Sequence, residues 1–275
     1  MSSILTNNSA MVALQTLKSI NNDLSKTTSM ISTGKEVASA KDNSAMWAIS
    51  KVMESDVSGF KAVSDSLSLG ESTVAVASAG AEQITNLLNE MKEKVVAATG
   101  ENVDHTKITA DITQLKEQIT SVIAASQFNG TNLLDTAGNA GMSVLSSLDR
   151  DAGGTVTAAN IDVASVDFEA NLDLTTIDTV DAATAEASLT DMETLIQTAV
   201  DGAAALGASS SRISDQNDFV GKVSDAIKSG IGTLVDADME EASARLQALQ
   251  VQQQLGVQSL SIANQAPQSI LSLFR

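Results

Sequence analysis

Between Met53 and Val95, small and apolar residues alternate at gaps of three and four: Met53, Asp56, Phe60, Val63, Leu67, Gly70, Val74, Ala77, Ala81, Ile84, Leu88, Met91 and Val95. That spacing predicts one unbroken helix with a coiled-coil seam. At a rise of about 1.5 Å per residue the seam is about 63 Å long. A compact globule has no use for such a rod, and helices of this length belong to bundles, coiled coils or fibres. The same alternation returns from Leu189 through Met192, Ile196, Ala199, Ala203, Leu206, Ser210, Ile213, Asn217, Val220, Ser224, Ile227, Ile231 and Leu234. The predicted fold class is therefore mainly α, with long antiparallel rods.

Both ends of the chain carry narrower stripes. At the C-terminal end Met239, Ala242, Leu246, Leu249, Gln253, Gly256, Leu260 and Ala263 hold the alternation, one step out of register with the preceding rod around Asp236-Ala237-Asp238. The slip predicts a joint there. Only Met239, Leu246, Leu249 and Leu260 on this stripe are large, too few to offset the entropy of ordering their helix alone. Apolar surface from this chain or another copy must close over it. A matching stripe near the N-terminus runs Ala10, Leu14, Leu17, Asn21, Leu24, Thr28 and Ile31, with Asn21 expected as a buried polar residue that fixes register. Gly34 supplies a left-handed stop, and the polar stretch from Glu36 to Ser44 reads as a linker. Asp42, Asn43 or Ser44 could each cap the rod that follows. Pro267 removes a backbone hydrogen bond and is expected to kink or stop the last helix, leaving the state of Ile270 to Phe274 open.

The middle is different. A return helix is expected over Ile108, Ile112, Leu115, Ile119 and Val122, ending at an Asn129-Gly130 turn. Ser143 to Leu148, then Gly153-Gly154, then Thr155 to Thr157 reads as a β-hairpin, and Asp167 to Leu174 alternates as a strand does. From Asp135 to Glu193 twelve acids stand against one base, Arg150, which keeps this section solvated.

A net charge of −18 argues against a nucleic-acid partner. Apolar runs fall far short of the ~18–20 residues that span a bilayer, and the N-terminus has neither the basic cluster nor the apolar core of a secretory signal. No membrane anchor is expected. With one His and no Cys, neither a thiol nucleophile nor a transition-metal site is expected, and His105 beside Asp104 reads as a surface loop residue. No phosphate loop or nucleophile elbow occurs, and Asp236 with Asp238 reads as helix capping rather than a paired acid site. The chain is not expected to be an enzyme or to hold a cofactor.

Several segments together resemble bacterial flagellin. They are Thr6-Asn7 with Ala10 and Leu17, Ile31-Ser32-Thr33-Gly34, Ser39-Ala40-Lys41-Asp42, Ala48-Ile49-Ser50, Phe128-Asn129-Gly130-Thr131-Asn132-Leu133-Leu134, Arg212-Ile213, Asp236-Ala237-Asp238-Met239, and Ala263 to Gln268 with Leu271-Ser272-Leu273. Asn43, Met46-Trp47 and Glu36 depart from the family pattern. The resemblance implies a secreted, extracellular subunit of a helical filament of many copies, exported unfolded and folding on assembly. It implies an export chaperone, a filament cap and hook-associated proteins as partners. Residues 1–44 and 235–275 would form the filament-core helices, and 45–234 a rod-like shell domain with a small β region at about 135–180. Self-assembly would fall to Leu14, Leu17, Asn21, Leu24, Ile31, Met239, Leu246, Leu249, Gly256, Leu260 and Ala263, and the core–shell joint to Gly34, Lys41, Asp42, Asp236 and Asp238. A hook-associated junction protein shares the end motifs, and a signalling coiled coil shares the helical-hairpin composition.

Overall fold

A computed structural model describes residues 7–136, 140–151 and 153–273, with side chains described as far as residue 265. Thr6 and Phe274 lie outside the described residues. The helices are α1 (Asn8–Thr33), α2 (Ser44–Ala98), α3 (His105–Ala125), α4 (Phe168–Asn171), α5 (Ala182–Val235) and α6 (Met239–Leu273). Strands β1 (Gln127–Phe128) and β2 (Thr131–Asn132) form one antiparallel pair, and β3 (Met142–Arg150) and β4 (Val156–Val163) another. Two compact units result, one of residues 56–225 and one of residues 1–55 with 226–275. Their boundaries fall inside α2 and α5, whereas the domain limits expected from sequence fall at the linkers.

In the unit of residues 56–225, every rod position from Val63 to Val95 is buried. These side chains share one core with Met192, Ala199, Leu206, Ile213 and Val220 of α5 and with Ile112, Leu115, Ile119 and Ile123 of α3. Cross-links between helices show the direction of packing. Ser64 Oγ donates to Asn217 Oδ1 at 2.7 Å, and Lys92 pairs with Glu193, so α2 and α5 run antiparallel. Lys94 pairs with Asp111 at 2.9 Å, and α3 returns along α2. Asp104 caps α3 by accepting from Lys107 N, so His105 is the first helical residue and half-buried, not part of a loop.

The Asn129-Gly130 turn takes positive φ at both residues, 50° and 83°, as a tight hairpin demands. The expected hairpin forms as β3–β4, with a bulge at Ser146. It lies close against α2: a methyl on Gly70 would stand 2.6 Å from Val144 Cγ2, so the bare glycine permits the approach. Arg150 holds Asp56 at 2.6 Å. The strand expected from Asp167 to Leu174 does not form. Asp167 and Asp173 instead cap a short helix and a 3-10 turn through their carboxylates, accepting from Ala170 N and Thr175 N. Such local side-chain bonds compete with ladder formation. Phe168 and Leu172, four apart, then face the core together and are both buried.

In the other unit, Gly34 ends α1 at φ 69° while its N–H donates to Met30 O. Asn43 caps α2, its side chain accepting from Met46 N at 3.2 Å. α5 stops at Val235 and α6 starts at Met239, so a break lies where the register slips. Against expectation, α6 continues through Pro267 to Leu273.

Candidate self-assembly surface

Helices α1 and α6 pair antiparallel. Asn7 Nδ2 donates to Ala263 O at 2.7 Å, Leu17 lies over Gly256, and Gln253 Nε2 donates to Asn21 Oδ1 at 2.6 Å. The face of α6 that meets α1 is the stripe from Ala242 to Ala263: Ala242 and Leu249 are buried, and Leu246, Gln253, Gly256, Leu260 and Ala263 half-buried. Met239, at the first turn, is 42% exposed and lies off this seam.

On α1 the seam is rotated from the expected one. Ala10, Ala13, Leu17, Ile20, Leu24, Thr27 and Ile31 are buried or half-buried, whereas Leu14, Asn21 and Thr28 are exposed. Ala10, Leu17, Leu24 and Ile31 are common to both stripes, and Asn21 still reaches the seam through its bond to Gln253. Ala13, Ile20 and Thr27 also follow gaps of three and four, so the signal was in the sequence beside the one read.

The rotation leaves large apolar side chains on both sides of the seam. At about 100° per residue, Met11 and Leu14 fall on one side of α1, and Val12 and Thr16 on the other. Val12 and Thr16 line a groove of about 500 Å³ with Ile20, Leu255, Gly256 and Ser259. Ile262 continues the groove side of α6 by the same count, Val251 falls opposite the seam, and Val257 falls on the side of Met11 and Leu14. Leu14, Val12, Leu255, Val257 and Ile262 are all more than half exposed. One helix pair thus carries two unlike apolar flanks.

A small backbone clasp joins the ends of this pair to their neighbours in the same unit. Lys35 bridges Asp236 in antiparallel fashion, Val235 O accepts from Glu36 N and Val37 N, and Gly34 O accepts from Ala237 N. Val37 is buried beneath it. Asp238 caps α6, its Oδ1 accepting from Glu240 N and Glu241 N. Lys41 is exposed. Lys51, then Lys35, hold the Glu54 carboxyl below its ordinary value.

Asp42 does not cap α2 but closes a turn, accepting from Ser39 N at 2.9 Å and Ser39 Oγ at 3.0 Å. The Ser39 backbone and hydroxyl bonds lower its carboxyl from the ordinary value. A carboxyl lowered by folding stabilises the fold above its unfolded value, and that contribution is lost as pH falls through the folded value. Asp42→Asn is therefore expected to unfold at lower denaturant than the parent at pH 7, with the gap closing below about pH 4. Paired urea titrations across that range check it.

Among the described residues no helix is long and apolar enough to cross a membrane. The description "Bacterial flagellin N-terminal helical region" matches residues 4–139, and "Bacterial flagellin C-terminal helical region" matches residues 200–274. Flagellin FljM of Caulobacter vibrioides is 42% identical over all of this chain and 99% of that one. Flagellin C of Rhizobium meliloti is 38% identical and a flagellin of Brucella melitensis 41% identical, each over the full length of both chains. These comparisons do not favour the junction-protein or signalling alternatives. With both helical end regions matched and full-length kinship at this level, the chain belongs to the bacterial flagellins and is a structural subunit of the flagellar filament, not an enzyme.

Proposed function

We propose that the α1/α6 pair is the polymerising element and that its two apolar flanks are the two halves of the contact between copies. The observation that carries this reading is their dissimilarity: Met11, Leu14 and Val257 are exposed apolar side chains on one flank, while Val12, Leu255 and their neighbours line a groove on the other. The first flank of one copy seated in the groove of the next is a head-to-tail contact, which propagates without closing and so yields a filament. In this reading the helices of residues 1–44 and 235–275 line the filament core, the stretch 45–234 forms the surrounding shell, and Gly34, Lys41, Asp42, Asp236 and Asp238 make the joint. The chain travels out unfolded with an export chaperone, assembles outside the cell beneath a filament cap, and grows from hook-associated proteins. The thin seam of α1 and α6 supports this, since helices with so little apolar bulk gain order only when neighbours cover their flanks.

Leu14→Asp and Leu255→Asp each remove one flank and leave the seam intact. Burying a Leu is worth about 1.5–3 kcal/mol, and 1.4 kcal/mol is about tenfold in an equilibrium constant. Each variant should raise the critical concentration for seeded polymerisation at least about tenfold, with unchanged helical circular dichroism. Growth of either at the parental concentration would refute the reading.

A further inference from the structure

The α1/α6 seam is built almost wholly of aliphatic and small residues, and such a seam tolerates sliding by a heptad unless something forbids it. Two adjacent features break its uniformity. Gly256 is the only glycine in α6, and it sits under Leu17: a methyl there would stand 3.1 Å from Leu17 Cδ1. One turn away, Gln253 Nε2 donates to Asn21 Oδ1 at 2.6 Å. Asn21 and Gln253 are 232 positions apart, and they lie more than three helical turns beyond the Gly34–Ala237 clasp at the base of the pair.

We propose that the Leu17–Gly256 contact and the Asn21–Gln253 amide pair together form a register lock, the specificity-determining residues for filament growth. This rests on the α1/α6 pair being the polymerising element. Sliding α6 by seven in either direction brings Leu246 or Leu260 to the place of Gln253, and Leu249 or Ala263 to the place of Gly256. Asn21 then loses its partner to a leucine side chain. Leu17 either collides with Leu249 or meets a smaller Ala that still carries the methyl Gly256 lacks.

The consequence reaches the outer surface. The groove takes Ser9, Val12, Ala13, Thr16 and Ile20 from α1, and Gln252, Leu255, Gly256 and Ser259 from α6. A heptad slip of about 10.5 Å along the axis separates the two walls and leaves no continuous groove for the next copy. Register within one molecule thereby sets whether a second can dock.

The chain holds no Cys, so engineered thiol pairs report register directly. Counting from the three observed contacts, Ile31 lies opposite Ala242 in the native register, and Leu24 opposite Ala242 after a slip of seven. Ala242→Cys is combined with Ile31→Cys or with Leu24→Cys in the full-length chain. Mild oxidation is followed in monomer and in seeded filaments. In the parent background the native pair should cross-link and the slipped pair should not. In the Asn21→Leu, Gln253→Leu background the slipped pair should rise at least about twofold and up to about tenfold relative to the native one, the range for one lost polar pair. The reversed pair, Asn21→Gln with Gln253→Asn, should restore the parental ratio, which a merely structural effect of the substitutions would not do. A parental ratio in the leucine background overturns the lock. Cross-linking of neither pair in parental filaments overturns the pairing reading itself.

Discussion

Removing residues 1–32, or residues 240–275, is expected to abolish filament growth and leave a soluble, folded remainder. The unit of residues 56–225 draws its core from within itself: Val63, Leu67, Ile84, Leu88 and Met91 of α2 close on Met192, Leu206 and Ile213 of α5 and on Ile112 and Ile119 of α3. None of these belongs to α1 or α6. Deleting either end helix strips its partner of the seam: without α6, Leu17, Ile20 and Leu24 face water, and without α1, Leu246, Leu249 and Leu260 do. A single helix with so few large apolar residues does not hold its order. Both truncated chains should show cooperative unfolding near the parental midpoint and strong helical circular dichroism, with no filaments after seeding at any accessible concentration. Filaments from either would refute the α1/α6 pair as the polymerising element, and filaments from both would place the surface within residues 33–239.

Phe168→Ala should be the most damaging single substitution in the unit of residues 56–225. Phe168 is fully buried on α4, and it reaches the core because α5 offers Gly202 beneath it: a methyl on Gly202 would stand 2.6 Å from Phe168 Cε1. A buried Phe→Ala change costs about 3–5 kcal/mol. In a unit of this size each kcal/mol is about 2–4 °C of Tm, so the melting point should fall by roughly 6–20 °C. Gly202→Ala works from the opposite side, pressing a methyl on Val166 and the Phe168 ring. Phe219→Ala is the control. That ring is 58% exposed on α5, and its loss should stay within about 0.5 kcal/mol in the monomer. Equal losses at Phe168 and Phe219 would show that α4 is not anchored as described.

The rods were legible because their signal is long and local. From Met53 to Val95 a single register survives thirteen positions, and every one is at least half-buried. Asn129-Gly130 and Gly153-Gly154 were legible for another local reason, since each turn needs a residue that tolerates positive φ. The α1 face was ambiguous by construction. Leu14, Asn21, Thr28 and Ala13, Ile20, Thr27 both alternate with Leu17 and Leu24, and which set turns inward depends on where α6 lies. The bulk of Leu14 suggested an inward position, whereas it stands 58% exposed on the outer flank. The stretch after Asp167 was misread because alternation weighs every residue alike, while two aspartates bonding to their own backbone outvote it. Val251, Leu255 and Ile262 stood in the sequence as large apolar residues off the stripe, a pattern with no use inside one molecule.

The pairing of α1 with α6 joins segments as far apart as Asn7 and Ala263, 256 positions along the chain. Contacts this distant along a chain are the last that a folding molecule can make, because loop-closure entropy must be met before they reward it. A chain in which only one of these two helices is free to fold has no completed seam. The subunit is a buckle whose tongue and catch lie 256 positions apart on the strap, so it cannot fasten until both are free.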